Sequence, residues 1–183
     1  MTIASAVTDV LTPPLRAVGV HLEDVIITPA GRRRVVRVIV DTELPDADEV
    51  TGPVRAMTLD DIADATRVVA DVLDDTDVLG EQPYTLEVSS PGVGRPLRLR
   101  QHYQRAVTRL VRLTPRVGGP VSGRLLRAGR SDLTLQVIGA KGAAPLTGTY
   151  AYADLLKGEV QVEFAAVPDE ATGVSSAETS KES

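Results

Sequence analysis

The chain of 183 residues carries no cysteine, no Trp, one Phe and four Tyr. Disulfides, thiolate catalysis and cysteine-based zinc sites are excluded together, and any core must be built from Val, Leu, Ile and Ala. Its net charge of −5 conceals an asymmetry, because residues 1–93 hold 7 Lys+Arg against 17 Asp+Glu while residues 94–164 hold 12 against 4.

An acidic half joined to a basic half is the pattern of a protein that meets partners of both signs. The length suits two domains. The N-terminal stretch lacks a basic leader and is interrupted by Asp9, so it does not read as a signal peptide. No apolar run approaches the ~18–20 residues needed to span a bilayer. A soluble, cytoplasmic protein with no membrane partner is expected.

Residues Thr2 to Val18 place Ile3, Val7, Val10, Leu11, Leu15 and Val18 near helical spacing, with Pro13 and Pro14 expected to break the helix or restart it at Thr12. "HLEDVIIT" and "RRVVRVIVD", joined through Pro29-Ala30-Gly31, read as an antiparallel hairpin. A polar loop follows from Thr42 to Met57. Thr58 and Asp61 then make a capping box, Met57 and Ile62 a hydrophobic staple, and Leu59, Ile62, Thr66, Val69 and Leu73 one inward stripe of a helix. "YTLEVS" supplies a third strand, so helices should cover one face of a three-stranded sheet. "RLRQHYQRA" reads as a short helix. From Val107, five short segments ("TRLVRL", "PVSGRLLRAG", "DLTLQVIG", "TGTYAY", "GEVQVEF") suggest a small closed or nearly closed β barrel, with Val160, Val162 and Phe164 alternating inward in the last. The composition beyond Ala165 predicts a disordered tail.

"LEVSSPGVGRPL", Leu86 to Leu97, invites three readings: a nucleotide loop, a serine nucleophile, or a joint. Leu97 stands where a dinucleotide fold wants a small residue, and neither the downstream ribose-binding acid nor a phosphate-loop lysine is present. Ser89 and Ser90 have no histidine near in sequence, since only His21 and His102 exist. Asp60, Asp61 and Asp64 fall in the first turns of a helix, where the macrodipole favours them without a metal. His21 and Glu23 are two ligands without a third. No cofactor, metal or catalytic residue is assigned, and the chain is expected not to be an enzyme.

Two charged groups remain. Asp74, Asp75 and Asp77 crowd the C-terminal end of the helix, where the dipole disfavours them, and suggest a basic protein partner. The second half holds a run of arginines, the side chain best suited to forked phosphate contacts; Arg98, Arg100, Arg105, Arg124, Arg127 and Arg130 are the RNA-binding candidates. Arg98 or Arg105 could instead pair with acids of the first domain.

"YTLEVSSPGVGRPL" followed by His102-Tyr103 resembles the signature of the bacterial ribosome maturation factor RimP family, L-E-V-S-S-P-G-x-x-R-P-L with an aromatic shortly after. The resemblance extends from about Val7 to Phe164 through "LEDV", "VIVD" and "YADLLKGEVQVEF"; Gly94 departs from it, because many members carry an acid there. It implies a two-domain α+β fold with a C-terminal Sm-like (SH3-like) barrel. It also implies a non-enzymatic factor that binds the free small (30S) ribosomal subunit, meets ribosomal RNA, and assists incorporation of small-subunit ribosomal protein twelve. A monomer is expected.

The domains expected are 1–92, an acidic α/β unit; 93–106, a hinge and short helix; 107–164, the basic barrel; and 165–183, the tail. Ser89, Ser90, Pro91, Gly92, Arg95, Pro96 and Leu97 are read as the hinge: proline fixes φ, Gly92 permits a left-handed turn, and Arg95 pins the joint electrostatically. A direct ribosomal contact by the same residues is the alternative. For the whole chain, the alternative function is a general Sm-like RNA-binding regulator.

Overall fold

The computed structural model describes residues 2–92, 94–137 and 146–162. The expectations placed on Val93, on Phe164 and on the 165–183 tail lie outside them. The fold is α+β, with two sheets and two separate cores.

Helix α1 (Ile3–Ala17) begins at Thr2, whose hydroxyl accepts the Ser5 N–H at 3.1 Å. It runs unbroken through Pro13 and Pro14, against the expected break. The prolines deprive the Asp9 and Val10 carbonyls of their intrahelical donors. What carries the helix across them is its other face, where Val7, Leu11 and Leu15 are fully buried. Each such side chain contributes ~1.5–3 kcal/mol when fully buried, which offsets the lost bonds.

Strands β1 (Val20–Ala30) and β2 (Arg33–Thr42) form the antiparallel hairpin, turning at Gly31 with φ 63°. The register slips between Leu22 and Asp24, so Glu23 is an extra residue in a β-bulge. Helix α2 (Leu59–Asp75) opens on the complete capping box: Thr58 Oγ1 accepts the Asp61 N–H, and the Asp61 carboxylate accepts the Thr58 N–H at 2.7 Å. Its buried stripe is Ala65, Val69 and Leu73. Leu59, expected on that stripe, is 84% exposed, because it is the first helical residue and precedes the turn that meets the sheet.

Strand β3 (Tyr84–Ser89) lies parallel to β2, giving the order β1-β2-β3. Parallel neighbours need a long crossover, and the loop plus α2 supply it. The inward side chains of central β2, Val36, Val38 and Val40, complete the first core.

Helix α3 (Arg100–Arg105) leads into β4 (Leu110–Pro115), β5 (Val121–Ala128), β6 (Asp132–Val137), β7 (Leu146–Ala151) and β8 (Leu155–Val160). The five strands make one antiparallel sheet in the order β7-β6-β5-β4-β8. It is open: bulges at Leu126 and beside Pro115 curve it, yet among the described residues no ladder joins β7 to β8. The closed barrel is therefore corrected to an open, curved sheet. The last strand also starts earlier than expected, burying Leu155 and leaving Val162 66% exposed beyond its end.

The two helix positions separate the corrected stripe from the expected one. Leu73→Ala should cost about 2–5 kcal/mol in urea unfolding, the usual range for a buried leucine. Leu59→Ala should stay within ~0.5 kcal/mol, as exposed substitutions do.

Candidate functional site

The "SSPGVGRPL" stretch connects the two cores. Leu86 and Val88 of β3 pack against the first. Leu97 is buried in the second, where its N–H and carbonyl pair with Gly158 at 2.7 and 2.8 Å. The Tyr103 hydroxyl donates to the Leu97 carbonyl at 2.8 Å, and burial pushes that phenol up to about 12. Gly158 admits the ring, since a Cβ there would lie 2.8 Å from Tyr103 Cε1. Gly92 is not left-handed and faces open space, which corrects the expected turn; its carbonyl accepts the Arg95 N–H at 3.1 Å.

Arg95 turns its guanidinium to the first domain. Its Nη2 donates to Glu23 Oε1 at 2.5 Å, and that carboxylate side chain is only 3% exposed. The bulge in β1 is what aims Glu23 there, a use bulges often serve. His102 reaches the same oxygen at 3.1 Å from Nε2. Its Nδ1 accepts the backbone N–H groups of Arg98 and Leu99 at the start of α3, at 3.1 and 3.3 Å, and its Nε2 also lies 2.7 Å from Arg95 Nη2. Burial raises the Glu23 carboxyl, but the hydrogen bonds from His102 and Arg95 outweigh it and hold the group well below the ordinary carboxylate range.

Arg105, an expected RNA contact, is drawn into this joint. Its Nε lies 3.0 Å from Asp41 Oδ2, Nη2 donates to the Thr42 carbonyl at 2.9 Å, and the side chain is 12% exposed. Burial lowers its pKa against the raising effect of Asp41 and Glu23. Its polar contacts thus run to Asp41 and Thr42 of β2. Arg95, Arg105 and Arg109, with Pro91 and Gly92, border a cleft of about 120 Å³.

A second connection was not expected at all. Val50, in the acidic loop between β2 and α2, forms an antiparallel bridge with Ala128 of β5, N–H to carbonyl at 3.0 Å in both directions. Val50 is buried in the second core and Val54 packs beside it, so a piece of the first 92 residues completes the other domain. The only sequence signal was a single valine inside "PDADEVTG".

Around that bridge the loop meets the remaining arginine candidates. Arg100 donates from Nη2 to the carbonyls of Ala47 and Asp48, both at 2.8 Å, and from Nε to Gly129 at 3.1 Å. Arg127 pairs with Glu49 at 3.1 Å and Asp132 at 2.5 Å, and Arg130 pairs with Asp48. Arg124 Nη1 donates to the carbonyl of Thr108, a β-branched residue held at φ 73°. Arg98 is exposed and its side chain makes no bond among the described residues; the same is true of Arg109.

The solvent face of the second sheet follows from register. Opposite the buried Val111, Leu113 and Leu125 stand Arg112 and Arg124, and past the bulge Arg127 joins them. Arg124 aligns with Gln136 and Thr147, and Arg127 with Thr134 and Thr149. A polar face of the curved sheet with cations in rows results.

Asp74, Asp75 and Asp77 are exposed at the C-terminal end of α2, beside the start of β3 and so remote from the joint that follows its end. Asp74 accepts from the Tyr84 hydroxyl at 3.5 Å. Ser89 and Ser90 bond to neither histidine among the described residues. No group of three or more His, Asp or Glu able to hold a metal occurs among the described residues, and no described helix is long and apolar enough to cross a membrane.

Comparison with known proteins settles the family. The RimP N-terminal domain model matches residues 10–94. A ribosome maturation factor RimP of Kineococcus radiotolerans is 43% identical over 176 residues, covering 89% of this chain and 81% of that protein. The chain belongs to the RimP ribosome maturation factor family. The RimP of Frankia casuarinae is 36% identical over 178 residues, covering 92% of this chain and 62% of that longer protein. The joint and both sheets thus fall within a family named for ribosome maturation.

The joint has an acid signature. A carboxyl held low in the folded chain contributes stability that is complete above its ordinary value of 4.5 and is lost progressively as pH falls below it. Glu23→Gln should flatten the acid limb of the stability profile. Arg95→Ala at neutral pH should cost about 1–3 kcal/mol, the range for a lost hydrogen bond to a buried charged group. Urea titrations across pH, read by circular dichroism, check both.

Proposed function

We propose that the protein is a non-catalytic assembly factor that binds the free small ribosomal subunit in the cytoplasm, as a monomer, and assists its maturation. The basic outer face of the second sheet meets ribosomal RNA, in the role the family resemblance gives to an Sm-like module. The acidic first domain, with Asp74, Asp75 and Asp77 at its far end, receives the basic small-subunit ribosomal protein twelve as it is incorporated. The observation that carries this reading is the segregation of charge between two domains held in a defined relation. RNA is anionic and a ribosomal protein of this kind is cationic, so one molecule can present the proper sign to each.

The Glu23–Arg95–His102 contact supports a positioning role for the motif residues. They fix how the two charged surfaces are presented, and Ser89, Ser90 and Pro96 are backbone of that joint in this reading. No nucleophile–base pair is required.

Sedimentation tests the proposal. Tagged protein in a native lysate should travel with free small subunits on a sucrose gradient, and not with assembled ribosomes. Recovery only at the top of the gradient, or equally on every ribosomal particle, would overturn it. Affinity for purified small subunits should fall with salt by roughly 0.7–0.9 log unit per log unit of salt for each phosphate neutralised. Changing Arg98, Arg109 and Arg112 to Gln should reduce that slope without loss of fold, since all three are exposed. An unchanged slope would place the RNA contact elsewhere.

A further inference from the structure

The acidic loop between β2 and α2 lies on three of the arginines best suited to phosphate. We infer that Arg100, Arg127 and Arg130 form an RNA-backbone surface that the chain's own residues 46–49 occupy until a polyanion displaces them. This rests on the reading of the second domain as an RNA-binding module, and adds to it a site and an internal competitor.

The chemistry of the contact is that of an RNA strand. Asp48 and Glu49 are ionised acceptor-only groups, as phosphates are, and they bind the guanidinium groups of Arg130 and Arg127. Arg100 takes two successive loop carbonyls with one nitrogen, at 2.8 Å each. Asp46 adds a further exposed carboxylate with no partner among the described residues. The three arginines converge from α3, from β5 and from the turn after it. This is a receptor for several phosphates in a row, with a peptide in the RNA's place.

The loop is held in a way that permits release. Residues 46–49 belong to no helix or strand, and among the described residues the loop's backbone pairs outside itself at Glu43, with Gly19, and at Val50, with Ala128. The Asp48–Arg130 pair is open to solvent, with side chains 75% and 76% exposed, so incoming anions reach it. Exposed pairs of this kind are individually weak. Tethering makes them effective nonetheless, because the loop competes at the high local concentration of an attached group. A single phosphate or a mononucleotide cannot displace it, whereas a strand offering several phosphates at once can. The strap therefore selects polynucleotide over small anions and, because salt weakens the internal pairs as well as the RNA contact, lowers the net salt sensitivity of binding.

Fluorescence anisotropy with labelled polyuridylate and the full chain tests this. Asp48→Asn with Glu49→Gln should tighten binding by roughly 3- to 10-fold at low salt, the release expected from two exposed pairs. Asp9→Asn with Asp71→Asn changes net charge equally at sites away from the loop and should give a distinctly smaller gain. Adding Arg127→Ala and Arg130→Ala should erase the gain of the loop variant. If the loop and control variants tighten binding equally, or the loop variant not at all, the strap is wrong and RNA binding by the second domain stands. If no variant binds polyuridylate while small-subunit binding persists, the RNA reading falls and the strap with it.

Discussion

One buried carboxylate governs how this molecule is put together. Glu23 belongs to the first domain, but the groups that make its charge tolerable, Arg95 and His102, belong to the second. A carboxylate so enclosed is costly when left unpaired, so separation of the domains would expose or orphan it. The relation between the two sheets is thus coupled to the neutralisation of one charge. His102 carries this further, because the same ring also caps the first turn of α3. Joint, helix and bulge form one unit.

The charge asymmetry of the sequence is real, but part of it is spent internally. Arg95 and Arg105 face Glu23 and Asp41 on one side of the joint, and Arg100, Arg127 and Arg130 meet the acidic loop on the other. What remains for a partner is narrower than a count of arginines suggests: Arg98, Arg109 and Arg112, and beside them the outer rows of the second sheet. The distinction matters because an exposed guanidinium already holding a carboxylate must lose that contact before it gains a phosphate.

Elements set by local chemistry were legible in the sequence. The capping box at Thr58, the third strand Tyr84–Ser89 and the short helix after Leu99 depend on residues within a few positions of each other. Features set by distant partners were not. Nothing in "HLEDVIIT" announces that Glu23 leaves the ladder, because a bulge preserves an ordinary strand composition. The two prolines of α1 obey their local rule less than the buried face opposite them. Val50 sits in a stretch whose composition reads as solvated loop, and its backbone partner Ala128 lies in another domain. The strands of the second sheet were countable from alternation, yet whether its edges meet is a matter of curvature, which a one-dimensional pattern does not carry.

The Val50 bridge also bears on the order in which the molecule assembles during synthesis. Residues 43–57 leave the ribosome well before β5 exists; Glu49 and the Arg127 it later meets are 78 positions apart. The first sheet and its two helices can close on their own core, fixing the segment's ends through Glu43 and Met57 while Val50 still lacks its partner. The second core cannot finish without it, because Val50 and Val54 fill part of its wall. Vectorial synthesis thus favours an order in which the N-terminal core closes first and the Val50 edge joins the second core once β5 is made. A fragment beginning after the joint would lack that edge and would leave apolar side chains of the second core open to water.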